Sequence, residues 1–305
     1  VWPRDAPWDS LRFGVEIEFV QADPASVSLP PGWTMDTSEQ QRILSGAYSG
    51  AEAKPGKLTW GERGQIGSTF AALREAGGAV NWSCGLHVHV GLEPWGRDVL
   101  APLVDAALAT QGALRTLLRT APHREVFAPD VTPALRDAWR VDPDHDDALR
   151  HRGSPLSSRC GVNVAAWYDF ETVEIRFGNA TLDPDAAYRT VQLCLCWVAA
   201  VGADRALPSD PAELAATLGV PRTGYPPPHP EPVWHERERA LTELLRPVLQ
   251  PMIAAEVPGA EILFVRPTAE GLYAKTDRGN RDNHRFWFRP HAGGFALVRF
   301  ERAEQ

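Results

Sequence analysis

Phe13-Gly-Val-Glu-Ile-Glu-Phe19 decides how the rest of the chain is read. Apolar Phe13, Val15, Ile17 and Phe19 alternate with Gly14, Glu16 and Glu18, the period-two pattern of a strand, Arg12–Val20, with one buried face. Side chains at i and i+2 leave a strand on the same side, about 7 Å apart, so Glu16 and Glu18 stand together. Two further stretches repeat the device. Gly85-Leu-His-Val-His-Val-Gly91 aligns His87 with His89, and Thr172-Val-Glu-Ile-Arg-Phe177 aligns Glu174 with Arg176. Taken singly, Glu-x-Glu also fits a solvated face, Glu-x-Arg fits an ion pair, and His-x-His leaves metal binding open. In one sheet the three would gather three carboxylates, two imidazoles and a guanidinium. Clustered carboxylates repel one another and resist desolvation unless cations neutralise them. Oxygen-rich ligand sets with a few imidazoles suit Mg²⁺ or Mn²⁺, whereas a pure His or Cys set favours zinc.

Working outward, short strands are expected at Trp33–Asp36 and within Tyr48–Leu58, which carries Glu52. Helices are expected at Ile66–Ala76, stopped by Gly77-Gly78, and at Asp98–Leu118. Residues 121–158 read as loop-rich, with an acidic run at Asp142–Asp147. Gly161–Trp167 and Thr172–Gly178 read as strands joined by a turn at Tyr168–Glu171, and Pro184–Val201 as a long helix. Six prolines between 221 and 232 predict a stiff, extended connector. A helix at His235–Glu256 and strands at Glu261–Arg266, Gly271–Thr276, His284–Arg289 and Gly294–Phe300 complete the chain. Basic and aromatic residues interleave in this last part, as on a charged sheet edge.

The 305 residues, 44% hydrophobic and 23% charged, allow one large domain or two. A formal net charge of -8 argues against a nucleic-acid partner. Cysteines at 84, 160, 194 and 196 form no C-x-x-C pair and are read as reduced, buried thiols of a cytoplasmic protein. No apolar run is long enough for a bilayer, so no membrane partner is expected. Val1 stands where a Met would open a chain, so an upstream start is expected. Neither G-x-x-x-x-G-K-[ST] nor G-x-G-x-x-G occurs, so a nucleotide would have to bind by another route.

These residues resemble the amidoligase family, relatives of glutamine synthetase and γ-glutamylcysteine ligase. The resemblance runs, in order over residues 12–200, through Phe13–Phe19, Gly50-Ala-Glu52, Ser83-Cys-Gly-Leu-His-Val-His-Val90, Gly161-Val-Asn163 and Thr172–Phe177 with Ala180-Thr-Leu182. It implies an α+β fold, a curved antiparallel sheet packed on helices as in glutamine synthetase. Residues 1–204 would form the catalytic core and 205–305 an α+β extension. It also implies ATP and Mg²⁺ (or Mn²⁺) as cofactors, and small-molecule or peptide carboxylate and amine substrates. A substrate carboxylate would take the γ-phosphoryl group, and the acyl phosphate would then be attacked by the amine. By position, Glu16, Glu18, Glu52, His87, His89 and Glu174 would be metal ligands, and Glu174, Arg176 and Arg159 catalytic. Arg176 would meet the phosphates, and Asn163 and Arg159 the substrate. The chain departs from the family after Glu52, where the run is Ala-Lys-Pro-Gly-Lys57 in place of Ser-Pro and an apolar residue. Lys54 and Lys57 are two of only three lysines, which invites a phosphate-binding role for both. It departs again at Asp36-Thr-Ser38, where the family favours Asp-Gly-Ser. Two rival readings keep the same polar face: a metal-dependent hydrolase that activates water, and a non-catalytic metal- or peptide-binding module. The oligomeric state has no signal in the sequence.

Overall fold

The structure is a computed structural model that describes residues 1–150, 159–278 and 282–302. It is α+β, and its strands pair antiparallel throughout. The chain divides into two compact units, the first covering 1–150 with 159–230 and the second running from Glu231 onward.

In the first unit the strands are β1 (Phe13–Phe19), β2 (Thr34–Asp36), β3 (Gln41–Arg42), β4 (Tyr48–Ser49), β5 (Ala51–Lys54), β6 (Gly85–Gly91), β7 (Val162–Asn163) and β8 (Thr172–Asn179). Six of them form one sheet in the order β2-β5-β1-β6-β8-β7, and β3 and β4 make a separate ribbon. The helices are α1 (Gly64–Glu75), α2 (Leu100–Leu117), α3 (Pro133–Val141), α4 (Ala166–Phe170), α5 (Pro184–Gly202) and α6 (Pro211–Leu218). Odd-numbered Phe13, Val15, Ile17 and Phe19 are buried with Leu86, Val88, Val90, Val173 and Ile175 in one core. That core is closed by α5, which packs on β6 and is flanked by α1 and α2. From Leu193 to Gly202 every residue of α5 is buried, as expected of a helix apolar on all sides. Asp183 accepts a hydrogen bond from the Asp185 N–H and Pro184 occupies the first turn, which fixes where the helix starts.

The pairing of β6 with β8 shifts register, from Leu86 opposite Gly178 to Val88 opposite Ile175. His87 therefore faces two residues, Arg176 and Phe177, across a bulge. Alternation keeps Arg176 on the polar face beside Glu174 and Phe177 fully buried, and the bulge sets both opposite His87. Gly161 lies against this bulge: its carbonyl accepts from the Arg176 N–H at 2.7 Å, and its own N–H donates to the Pro129 carbonyl at 2.7 Å. A Cβ at 161 would overlap the Phe177 ring. Gly161→Ala is accordingly expected to destabilise the chain by about 1–3 kcal/mol through overpacking. Denaturant unfolding measures this, and an unshifted midpoint would show that the ring has room to yield.

Two readings from the sequence need correction. The segment taken as strand at Gly161–Trp167 is extended only at Val162–Asn163. The turn placed at Tyr168–Glu171 belongs to α4, which ends with Glu171 in the left-handed region at φ 57°. Ala165 and Ala166 favour helix, and five residues are too few for periodicity to reveal it. The loop-rich stretch from 121, described as far as residue 150, contains α3, opened by Thr132, whose hydroxyl accepts from the Leu135 N–H, and by Pro133. Between 205 and 230 the chain forms α6, announced by Asp210-Pro211, and clusters with the first unit.

The second unit packs α7 (Val233–Glu256) on β9 (Glu261–Thr268), β10 (Gly271–Asp277), β11 (Asn283–His291) and β12 (Gly294–Arg302), in the order β12-β11-β10-β9. Leu249 and Ile253 of the helix meet Ile262, Val265, Ala274, Phe286 and Phe288 of the sheet. The alternation along β10 leaves Tyr273 and Lys275 on the opposite face, where Tyr273 pairs with Trp287 and Lys275 with Arg285.

Candidate active site

The polar face of the six-stranded sheet brings the three i, i+2 pairs together. Glu16 is the Cα partner of His87, Glu18 of Glu52, His89 of Glu174, and Glu174 of Asn163. The same pairing adds Asp36 opposite Glu52. Side chains follow the backbone. His89 Nε2 lies 3.2 Å from Glu16 Oε1 and 3.9 Å from Glu174 Oε1. His87 Nδ1 lies 3.0 Å from Glu16 Oε2 and 3.6 Å from Glu174 Oε1. Glu174 is 1% exposed; it accepts from Arg176 Nη1 at 2.5 Å and from Asn163 Nδ2 at 2.7 Å.

The electrostatics are those of a crowded, dry carboxylate cluster. Burial pushes the Glu52 carboxyl up to about 9, and the charges of Glu16 and Glu18 add to it, against the pull of Lys54. For Glu16 burial acts the same way, but hydrogen bonds from His87 and His89 outweigh it and hold the group far below the usual carboxylate range. For Glu174 burial is again outweighed, here by Arg176, and the carboxyl is held at about 2. His89 is raised: burial opposes its charge, but Glu174 and Glu16 favour it more.

Two groups of ligating atoms could hold a cation: Glu16, His89 and Glu174, and Glu16, Glu52 and His87, each within 4.8 Å of one another. Carboxylate oxygens with one imidazole are the donors that Mg²⁺ and Mn²⁺ accept, so the residues present fit such an ion. The two imidazoles are not equivalent. His89 Nδ1 is 2.9 Å from the Thr172 hydroxyl, a group that can accept the Nδ1 hydrogen and leave the Nε2 lone pair facing the carboxylates. His87 meets two guanidiniums, Arg124 Nη2 at 3.4 Å from Nε2 and Arg176 Nη1 at 3.4 Å from Nδ1, which repel a cation there. Thr172→Val is expected to weaken Mn²⁺ binding about 10–100-fold by releasing the His89 ring. A Mn²⁺ titration reads this directly, and unchanged affinity would mean that Thr172 does not orient the ligand.

Arg124 had no signal in the sequence. It sits on a short 3-10 turn, Pro122–Val126, where no period marks a face. It is 1% exposed, donates from Nη1 to the Cys84 carbonyl at 2.7 Å, and lies where Gly85 has no side chain. A Cβ on Gly85 would overlap its guanidinium and stand 2.6 Å from His87 Nε2. Burial lowers the Arg124 guanidinium to about 10, partly offset by Glu18. Glu18 in turn accepts from the Gly85 N–H.

The remaining expected residues separate. Lys54 lies inside the carboxylate cluster, while Lys57 is outside it and pairs with Glu93 at 3.0 Å. Arg159 is exposed and bridges Arg150 through the backbone; Ser157 and Ser158 before it lie outside the described residues. Cys84 is buried, and burial first and Glu18 second push its thiol up to about 12, the opposite of an activated nucleophile. All four cysteines are buried and unbridged.

Beside Glu16, His89 and Lys54 opens a cavity of about 360 Å³. Arg12, Lys57, Thr172, apolar Phe13, Val15, Pro55 and Phe170, and the backbone of Gly14, Gly56 and Gly91 complete its wall. Phe170 meets the His89 ring edge-on at 5.9 Å. The volume lies in the range of small-molecule sites. Among the described residues no helix is long and apolar enough to cross a membrane.

An antiparallel sheet whose polar face carries carboxylates, imidazoles and buried guanidiniums beside such a cavity defines an α+β protein with a candidate cation site. The family model described as "Putative amidoligase enzyme" matches residues 31–198, more than half of the chain, and the chain belongs to the amidoligase family. The match begins after β1, so Glu16 and Glu18 join the matched region through strand pairing. No curated protein matches the chain. Among solved structures it is similar to "Crystal structure of the complex between Prokaryotic Ubiquitin-like Protein Pup and its Ligase PafA", at 14% identity and a TM-score of 0.26. That likeness covers 66% of this chain and 48% of the other, so the chain spans about half the length of that structure's chain.

Proposed function

We propose that the chain is an ATP- and Mg²⁺- (or Mn²⁺-) dependent carboxylate–amine ligase with a glutamine-synthetase-like catalytic fold, acting on an amino acid or peptide. The observation that carries this reading is the convergence of Glu16, His89 and Glu174 next to a largely apolar cavity that also presents Arg12, Lys54 and Lys57. Glu16, His89 and Glu174 would hold a divalent ion, which would supply charge neutralisation for phosphate oxygens. Glu18 and Glu52 extend the acidic face toward β5. In the cavity, Arg12 and Lys57 are placed to meet a nucleotide's phosphates, and Phe170 offers a face for its base. Arg176, held by Glu174, would stabilise charge on the transferred phosphoryl group, and Asn163 would orient Glu174 or the substrate. Arg159 remains a candidate for contact with an incoming carboxylate.

The reaction balances as two displacements. A substrate carboxylate oxygen attacks the γ-phosphorus as the bond to ADP breaks. The amine nitrogen then attacks the acyl carbon, phosphate leaves, and the amine gives up a proton. Catalysis on this reading is positioning and electrostatics rather than a protein nucleophile. The test is ADP release from ATP and Mg²⁺ with a panel of amino acids and peptides. Release that requires both a carboxylate and an amine is the expected result. Cleavage of amides without nucleotide would favour the hydrolase, and ligand binding with neither activity the binding module.

A further inference from the structure

Lys54 is two residues beyond Glu52 on β5, so it leaves the same face. Its ammonium contacts Glu52 and lies 3.3 Å from Asp36 Oδ2 and 3.6 Å from Glu16 Oε1. Two of these carboxylates, Glu16 and Glu52, are members of the second group of potential cation ligands, Glu16 with Glu52 and His87. The ammonium and a second metal ion would therefore compete for the same oxygens. His87, the remaining member, is crowded by Arg124 and Arg176, which leaves the carboxylates as the effective ligands there.

Resting on the metal-dependent reading above, we infer that Lys54 is a built-in cation that takes the place of a second divalent ion, so that this chain binds one ion on a face whose carboxylates could hold two. Without Lys54 a cage of three carboxylates, Glu16, Asp36 and Glu52, would remain, of the kind that holds hard ions. A lysine suits the position because its ammonium is a compact point charge with three donors, one for each carboxylate. The phosphate role that the spacing of Lys54 first invited falls to Arg12 and Lys57 instead.

The experiment counts Mn²⁺ on the full chain without nucleotide, following free Mn²⁺ by electron paramagnetic resonance. Wild type is expected to bind one ion per chain. Lys54→Met is expected to bind two, with the first site retained. Lys54→Arg keeps the charge and is expected to stay at one. Two ions on wild type, or one on a folded Lys54→Met chain, would overturn the inference while leaving the metal-dependent reading intact. No ion on any of the three would overturn both. Because wild type and Lys54→Arg carry their own expected counts, the result does not depend on Lys54→Met folding.

Discussion

Glu174→Gln abolishes turnover while the chain stays folded: this is the expected result, a fall in kcat for amine-dependent ADP release of about 10³-fold or more, or roughly 4 kcal/mol of lost transition-state stabilisation. Glu174 is the point where the proposed cation ligands and the phosphoryl-stabilising guanidinium meet, since one of its oxygens serves Arg176 and lies near both imidazoles. Its other oxygen accepts from Asn163 Nδ2. A glutamine keeps the shape and the hydrogen-bonding geometry but removes the charge. Its amide nitrogen can face Asn163, whose Oδ1 is buried without a hydrogen-bond partner and becomes the acceptor when that amide turns over. The fold therefore has a way to accommodate the change, and circular dichroism should match wild type. Mn²⁺ affinity should fall with kcat, because a ligand and a charge are lost together. Normal turnover in a well-folded Glu174→Gln chain would remove the proposed site.

Much of this site was legible because strands write their faces into the sequence with a period of two. Glu16, Glu18, His87, His89, Glu174 and Arg176 follow from alternation alone, and antiparallel pairing then superimposes them. The bulge opposite His87 was invisible, because Thr172–Phe177 alternates regularly and only the pairing partner reveals the extra residue. Arg124 was invisible for a different reason: it reaches the face from an irregular turn, and the vacancy at Gly85 that admits it is a property of three dimensions. Lys54 was legible as an unusual residue and illegible as to role. Spacing placed it near Glu52, but its contacts with Asp36 and Glu16 come from β2 and β1, strands distant in sequence. In the second unit, strands β9–β12 match the four apolar-alternating runs closely, since each hairpin carries its own turn residues.

In the metal-free chain, held in chelator, Glu52→Gln is expected to raise stability at pH 8 and to leave it nearly unchanged near pH 4.5. Glu52 is 3% exposed and its carboxyl is pushed up to about 9 by burial first and by Glu16 and Glu18 next. A raised carboxyl binds its proton more tightly in the folded state. Between its ordinary value and about 9 the unfolded chain has released that proton and the folded chain still holds it, so stability falls as pH rises through the window. Glutamine mimics the protonated form at every pH and escapes the loss. The gain at pH 8 should be on the order of a few kcal/mol, or roughly 5–10 °C in Tm for a unit of this size. Lys54 works in the opposite direction, since it loses one of its three carboxylates, which keeps the gain below the full proton-binding difference. Saturating Mn²⁺ should narrow or reverse the ranking, because the ion binds only the folded face and wild type offers it the greater negative charge. Thermal unfolding of both chains at the two pH values, with and without Mn²⁺, measures all four numbers. If Glu52→Gln is the less stable chain at pH 8 in chelator, attraction to Lys54 outweighs carboxylate repulsion, and the cluster is a closed ion-pair network with no need of a metal ion.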